Sequence, residues 1–351
     1  MFPPKVLLLA PYIALVTAQQ QAYLGFNSGA TLADSTAKQQ SDFEKEFKTA
    51  QALHGSPGTF NSVRLYTNVQ AGTTDTPISA FQAAVDTNTT MLLGLWCSGS
   101  NTITNELNAL QAAITKYGQK FADLVVGISV GSEDLYRISE SGIKNNAGIG
   151  TGPDEIIAFI KDVRSAIANT ELAGKPVGHV DSWSAWSNSS NTAVIEAVDF
   201  IGTDLYPYYE KDKVNTIENA TVVFDYIYNK TLSAAGKKPV WITETGWPTS
   251  GPSFGQAVPS VNNAKTYWDQ IGCTLFGRTN VWWYNLRDSN PANTEKFAIT
   301  NDLSTTPQFN LTCPVDSGAP APINTSAANI VVPSMVYGAI SIFASLIYYL
   351  V

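Results

Sequence analysis

Residues 124 to 181 run, in order, through Leu124-Val125-Val126-Gly127-Ile128-Ser129-Val130, the pair Gly152-Pro153, apolar residues at Ile156, Ile160, Val163 and Ile167, the breaker Gly174-Lys175-Pro176, and Val177-Gly178-His179-Val180-Asp181. The first and last runs are short and almost continuously apolar, which suits strands buried on both faces. Between them, spacings of four, three and four put one apolar stripe on a helix that can lie across such strands. The glycines and prolines stand where the backbone must change direction. The stretch is one strand-helix-strand unit, and the same unit recurs on both sides. Runs at Ala22 to Asn27, Ser62 to Thr67, Thr90 to Cys97, Phe200 to Tyr206, Pro239 to Thr243 and Asn280 to Asn285 complete a set of eight. Leu107, Leu110, Ile114 and Tyr117 form another helical stripe between two of them. Eight alternations predict a (β/α)8 TIM barrel folded as a single α/β domain; an open doubly wound sheet is the alternative, and neither G-x-G-x-x-G nor a P-loop supports it.

The chain has 351 residues, 44% hydrophobic and 14% charged, ample for a large core. A net charge of −8 disfavours nucleic acid as a partner. Two histidines, no HExxH and no CxxC leave little from which to build a metal site, and no cofactor is expected. Both ends read as processing signals. Residues 1–18 have the layout of a signal peptide, with Lys5, the apolar run Val6 to Val16 and a Val16-Thr17-Ala18 cleavage pattern. Residues 330–351 carry no charge and follow a Pro, Ser and Asn-rich spacer at 314–329. That is the pattern of a glycosylphosphatidylinositol (GPI) signal, with Ser317, Gly318 and Asn324 as candidate attachment residues. A transmembrane helix is disfavoured there by Pro333 and by the lack of basic residues after the apolar stretch. Sequons at Asn88, Asn188, Asn219, Asn229, Asn310 and Asn324 fit a secretory route. Of three cysteines, Cys273 and Cys313 are expected to pair, clamping the last helix to the end of the domain (19–313), and Cys97 to stay free and buried.

In a barrel of this kind, chemistry sits at the C-terminal ends of the strands. Those ends hold Gly25-Phe26-Asn27, Arg64-Leu65-Tyr66, Trp96, Gly131-Ser132-Glu133-Asp134, Asp181-Ser182-Trp183, Asp204-Leu205-Tyr206-Pro207-Tyr208, Glu244-Thr245-Gly246-Trp247-Pro248 and Trp282-Trp283-Tyr284-Asn285. Carboxylates and aromatics dominate. Glycoside hydrolysis needs that mixture: one carboxyl to protonate the leaving oxygen, a second to attack or activate water, and flat rings against sugar faces.

Val130-Gly131-Ser132-Glu133-Asp134 and Trp241-Ile242-Thr243-Glu244-Thr245-Gly246-Trp247-Pro248 resemble the two catalytic signatures of glycoside hydrolase family 17, which holds β-1,3-glucanases and glucanosyltransferases; the likeness covers roughly residues 20 to 313. Ser132 departs from the Asn that many related barrels place before the acid. The resemblance implies Glu133 as general acid/base and Glu244 as nucleophile of a retaining reaction. Tyr66, Ser132, Asp204, Tyr206, Trp247 and Trp283 are candidate substrate contacts, Asp134 and Asp204 alternative acids, and Arg64 and Asp288 candidate pairing charges. Like-charge repulsion from Glu244 is expected to keep Glu133 protonated and to give an acidic pH optimum. The expected enzyme is a monomeric endo-β-1,3-glucanase of the cell surface, anchored in the outer leaflet beside its polymer. A glucanosyltransferase and a non-catalytic wall-glucan-binding protein are the alternatives.

Overall fold

The eight runs become eight parallel strands in a computed structural model that describes residues 22–290 and 293–314. They are β1 (Leu24–Ser28), β2 (Ser62–Leu65), β3 (Thr90–Leu95), β4 (Val125–Ser132), β5 (Val177–Ser182), β6 (Ile201–Asp204), β7 (Val240–Glu244) and β8 (Val281–Trp283). Each pairs in parallel with its neighbour in sequence, and β8 returns to β1, so the sheet closes as a (β/α)8 barrel. The expected signal peptide at 1–18, the spacer from 315, the expected tail at 330–351, Asn324 and the anchor candidates Ser317 and Gly318 lie outside the described residues.

Side-chain alternation along the strands sorts residues between two cores. One core is a plug inside the barrel made by Leu92, Val126, Phe200 and Trp282, with Tyr23 and Trp241 against it. Phe200 and Trp241 stack with centroids 3.7 Å apart. The rings fit because the neighbouring strands carry glycine: a Cβ at Gly178 would lie 2.5 Å from the Phe200 ring. The larger core fills the layer between strands and helices, where Val63, Leu65, Leu93, Leu95 and Ile242 face the apolar stripes. The helix Pro153–Ile167 buries Ile156, Phe159, Ile160, Val163 and Ile167, as its spacing predicts, and starts on the proline. Its carboxylates Asp154 and Glu155 occupy the first turn, where they complement the helix dipole.

Where the chain leaves β4, the sequence reading ran straight to that helix, whereas the structure inserts two short ones, Asp134–Arg137 and Glu140–Lys144. They hold the functional end of β4 in place. At the last strand, Cys273 and Cys313 form the expected disulfide across a separation of 40 residues, and Cys97 is buried and free.

Candidate active site

Above the aromatic plug, the barrel mouth is polar. Arg64 on β2 points inward and is almost fully buried. Its Nη1 donates to Glu244 Oε1 at 2.6 Å and to Asn27 Oδ1 at 2.9 Å, and its Nη2 donates to Ser132 Oγ at 2.8 Å. One guanidinium fork therefore joins the ends of β1, β2, β4 and β7. Two phenols complete the surroundings of Glu244, Tyr66 Oη donating to Oε1 at 2.6 Å and Tyr206 Oη to Oε2 at 2.7 Å. Burial first, and then the charge of Glu244, push both phenols well above their usual pKa, so they remain O–H donors. The Glu244 carboxyl thus accepts from one cation and two hydroxyls, and is aimed by the ends of β2 and β6.

Glu133 has different surroundings. Its backbone is left-handed, φ 58° and ψ 23°, an uncommon state for a non-glycine residue that costs about 1 kcal/mol or more and concentrates at working sites. Gly131, two residues earlier, has φ +86°, and a Cβ there would come within 2.3 Å of Asp134 Oδ2. The strand end is thus folded back on itself. The Glu133 carboxyl faces Arg137 at 3.7 Å, beyond hydrogen-bond length. Its pKa is raised to about 8, foremost by burial and, after the opposing pull of Arg137, by the charges of Glu244 and Asp181. The sequence expectation assigned this shift to like-charge repulsion; desolvation is the larger cause, because the folded-back loop removes Glu133 from water.

A buried network supports the acid. Asp181 accepts from the N–H groups of Leu135 at 2.8 Å and Tyr136 at 3.2 Å, tying down the short helix that follows Glu133. His179 lies behind it, with Nδ1 2.6 Å from the Val130 carbonyl and Nε2 3.0 Å from Asp181 Oδ2. The Val130 carbonyl can only accept, so Nδ1 carries the proton toward it, and Asp181 faces the other ring nitrogen. Burial lowers its pKa, yet hydrogen bonding to Asp181 and the charges of Asp181 and Asp134 raise it overall. Arg137 donates to Ser98 Oγ at 2.6 Å and to the Ser132 carbonyl at 2.8 Å, with its guanidinium 5.2 Å from the Trp96 ring centroid.

The structure brings Tyr66 and Tyr206 to Glu244 and Ser132 to Arg64, and leaves the other candidate contacts elsewhere. Trp283 faces the outer layer, with centroids 4.9 Å from Trp268 and 5.7 Å from Tyr267 and Phe276, because alternation along β8 sends Trp282 inward and Trp283 out. Trp247 is walled in by Tyr208 and Tyr267 and donates its Nε1–H to the Val258 carbonyl at 3.0 Å, bracing the loop after β7. Asp204 is fully buried and accepts from Thr243 Oγ1 at 2.7 Å, below the reach of a sugar. Burial and the charge of Glu244 hold its carboxyl well above the usual range. Asp134 accepts from Ser98 Oγ and the Ser132 N–H, so it braces the loop instead of facing the mouth. Asp288 clips a loop, accepting from the N–H groups of Phe297 and Ala298. Arg137, Ser98 and His179 escaped sequence reasoning. For Arg137 the available signal was its place four residues after Glu133, the spacing at which charges face one another on a helix.

Residues 25–300 match the family model for the BtgE/BtgC glycoside hydrolase domain. The chain is 55% identical over 308 residues to a probable glucan endo-1,3-beta-glucosidase of Aspergillus oryzae, covering 87% of this chain and 66% of that protein. It is 54% identical over 314 residues to the Aspergillus fumigatus protein of the same name, covering 89% and 69%. It thus spans about two thirds of the length of these curated relatives. In fold it is similar to the glycoside hydrolase family 17 beta-1,3-glucanosyltransferase from Rhizomucor miehei, with a TM-score of 0.64, 24% identity, and coverage of 81% of this chain and 98% of that one.

Proposed function

The chain belongs to the BtgE/BtgC glycoside hydrolase family, and from that premise we propose that it hydrolyses internal bonds of β-1,3-glucan with retention of configuration, using Glu133 as general acid/base and Glu244 as nucleophile. The observation that carries the assignment is the contrast between the two carboxyls. Glu133, with a pKa near 8 and, among the described residues, no donor closer to its carboxyl than Arg137 at 3.7 Å, keeps its proton at neutral pH; Glu244 receives Arg64, Tyr66 and Tyr206. Glu133 gives its proton to the glycosidic oxygen as the bond to the anomeric carbon breaks. A Glu244 oxygen bonds to that carbon. Water then attacks the glycosyl ester, returns a proton to Glu133 and releases Glu244. Tyr66 and Tyr206 hold charge on Glu244 before attack and again as it leaves. The names of the Aspergillus relatives support β-1,3-glucan as the polymer.

The same reading places the enzyme at the cell surface, exported by residues 1–18 and held by a GPI anchor added near Ser317, Gly318 or Asn324. The disulfide suits an oxidising compartment, and Asn88, Asn188, Asn229 and Asn310 are exposed and open to glycans, with Asn219 half-buried. Release from intact cells by phosphatidylinositol-specific phospholipase C tests the anchor; retention after treatment rejects it.

Product analysis on linear β-1,3-oligosaccharides, beside Glu133→Gln and Glu244→Gln, tests the chemistry. Shorter sugars from the wild type and a loss of roughly 10³-fold or more in each variant are expected. Products longer than the substrate reassign the enzyme as a glucanosyltransferase. Binding without any cleavage leaves a wall-binding protein.

A further inference from the structure

A retaining reaction moves one negative charge across the barrel mouth. Glu244 attacks as the carboxylate while Glu133 carries a proton; once the proton has gone to the leaving oxygen and Glu244 has become a neutral glycosyl ester, Glu133 is the anion. A buried charge needs a partner in either position. At Glu244 that partner is Arg64, engaged at 2.6 Å. At Glu133 the cation is Arg137, and the pair is not engaged: Nη2 stands 3.7 Å from Oε2, with both side chains more than nine-tenths buried.

Arg137 is fixed at one end only. Its Nη1 donates to Ser98 Oγ at 2.6 Å and to the Ser132 carbonyl at 2.8 Å, and the guanidinium packs against the Trp96 ring. Its Nη2 is buried and, among the described residues, has no hydrogen-bond partner. Buried polar groups in folded proteins are nearly always paired, so a free N–H beside a carboxyl marks a bond that another state of the molecule makes. A neutral carboxylic acid attracts a cation weakly. Its carboxylate forms a charge-assisted bond of about 2.7–2.9 Å, and about 1 Å of side-chain motion closes the gap. Glu133 is also faced by Arg64 from β2, Asp181 from β5, Asp204 from β6 and Glu244 from β7, with the phenols of Tyr209 and Tyr284 held neutral by burial. Arg64 is committed to Glu244, Asn27 and Ser132, which leaves Arg137 to answer a charge on Glu133.

We propose that Arg137 is a positioning residue for the second half of the reaction: when Glu133 has given up its proton, Nη2 closes on the new carboxylate and holds it as the base that activates water. The inference rests on the retaining glucanase reading above and assigns one arginine to each carboxyl, Arg64 for the attack and Arg137 for the hydrolysis of the ester. In that second half a water oxygen bonds to the anomeric carbon, its proton passes to Glu133, and the electron pair of the broken ester bond returns to Glu244. Arg137 is then released to the resting separation.

Two measurements test this. Full-length wild type is trapped at slightly alkaline pH with 2-deoxy-2-fluoro-β-laminaribiosyl fluoride, which stops the reaction at the Glu244 ester, and its crystal structure is determined. Arg137 Nη2 is expected within about 3 Å of a Glu133 oxygen; a separation still near 3.7 Å, or wider, overturns the proposal. In solution, kcat is followed against pH on dinitrophenyl β-laminaribioside, whose phenolate leaves without a proton, so turnover reports ester hydrolysis and rises with pH as Glu133 becomes the base. Arg137→Gln, which takes the cation from beside the carboxylate, should move that rising limb up by about 1 pH unit or more. Arg137→Lys keeps the charge and should hold the limb near its wild-type position. Ser98→Ala loosens the fixed end without changing any charge, and should lower turnover at every pH with the limb in place. An unmoved limb in Arg137→Gln, or an equal movement in Ser98→Ala, overturns the proposal and leaves Arg137 a brace of the loop. The trapped wild type decides the question even where Arg137→Gln does not fold. A wild type that neither turns over the glycoside nor is labelled at Glu244 rejects the glucanase reading itself, whereas labelling without closure rejects the role of Arg137 alone.

Discussion

The proton on Glu133 is the most consequential single-residue feature of the site. Its folded pKa, about 8, lies above that of the unfolded chain. The carboxyl therefore imposes no penalty below the unfolded value, and stability is lost as pH rises from there through the folded pKa. Glu133→Gln, which cannot ionise, is expected to be more stable than wild type by about 1–3 kcal/mol at pH 8 and to show no such gain at pH 4; equal gains at both pH values, read from denaturant midpoints, would show that charge is not the cause. Activity should hold to neutral pH and decline as pH passes about 8. That moves the descending limb above the acidic optimum expected from the sequence. His179 supplies a second test. Its pKa is raised by Asp181 and Asp134 against the effect of burial, so its charge contributes stability fully below the unfolded value near 6.5 and loses it as pH rises through the folded one. A ¹⁵N titration should show His179 keeping both ring nitrogens protonated to a higher pH than in the unfolded chain. Loss of the second proton at or below the unfolded value would overturn this.

At the scale of elements, the barrel mouth is assembled by charges that each join several segments. Arg64 joins four strand ends. Glu46, on the helix Gln40–Gln51, does the same on the flank of the barrel. It pairs with Lys38 at 2.7 Å and with Arg287, and accepts from Ser28 Oγ at 2.6 Å, so the loops after β1 and β8 are tied to one helix. Lys38 and Glu46 are both buried. Replacing Glu46 by Gln leaves two cations facing each other without a carboxylate, and a loss of about 3–5 kcal/mol in unfolding free energy is expected. A change under 1 kcal/mol would show that solvent already reaches the cluster. The loop after β7 relies on close approach: a Cβ at Gly246 would stand 2.1 Å from the Tyr284 carbonyl. The Gly in Glu244-Thr245-Gly246-Trp247-Pro248 is therefore a packing requirement, and Trp247 is its brace.

At the scale of the whole molecule, closure depends on bringing β8 back to β1. The 40-residue span between Cys273 and Cys313 contains β8 and the long segment after it, so the disulfide limits the freedom of the last barrel unit in the unfolded chain. Cys273→Ser/Cys313→Ser is expected to lower stability by about 2–4 kcal/mol while leaving kcat near wild type, since neither sulfur approaches the mouth. Thermal unfolding compared with turnover at 25 °C checks this; a collapse of kcat at unchanged stability would show that the bond shapes the site directly.

Eight apolar runs with helical stripes between them were enough to specify a closed barrel, because strand and helix periodicities are local properties and eight parallel units close in only a few ways. The two glutamates were legible for a related reason: strand ends in such a barrel converge on one mouth. What the sequence did not contain was the sorting of neighbours at that mouth. Trp282 and Trp283, or Arg64 and Asp204, differ in fate through one step of strand alternation and the stagger between strands, and only the closed barrel sets that phase. The origin of the Glu133 proton belongs to the same class. Desolvation depends on how deeply a folded-back loop is covered, and that is a property of packing across the whole barrel rather than of any motif.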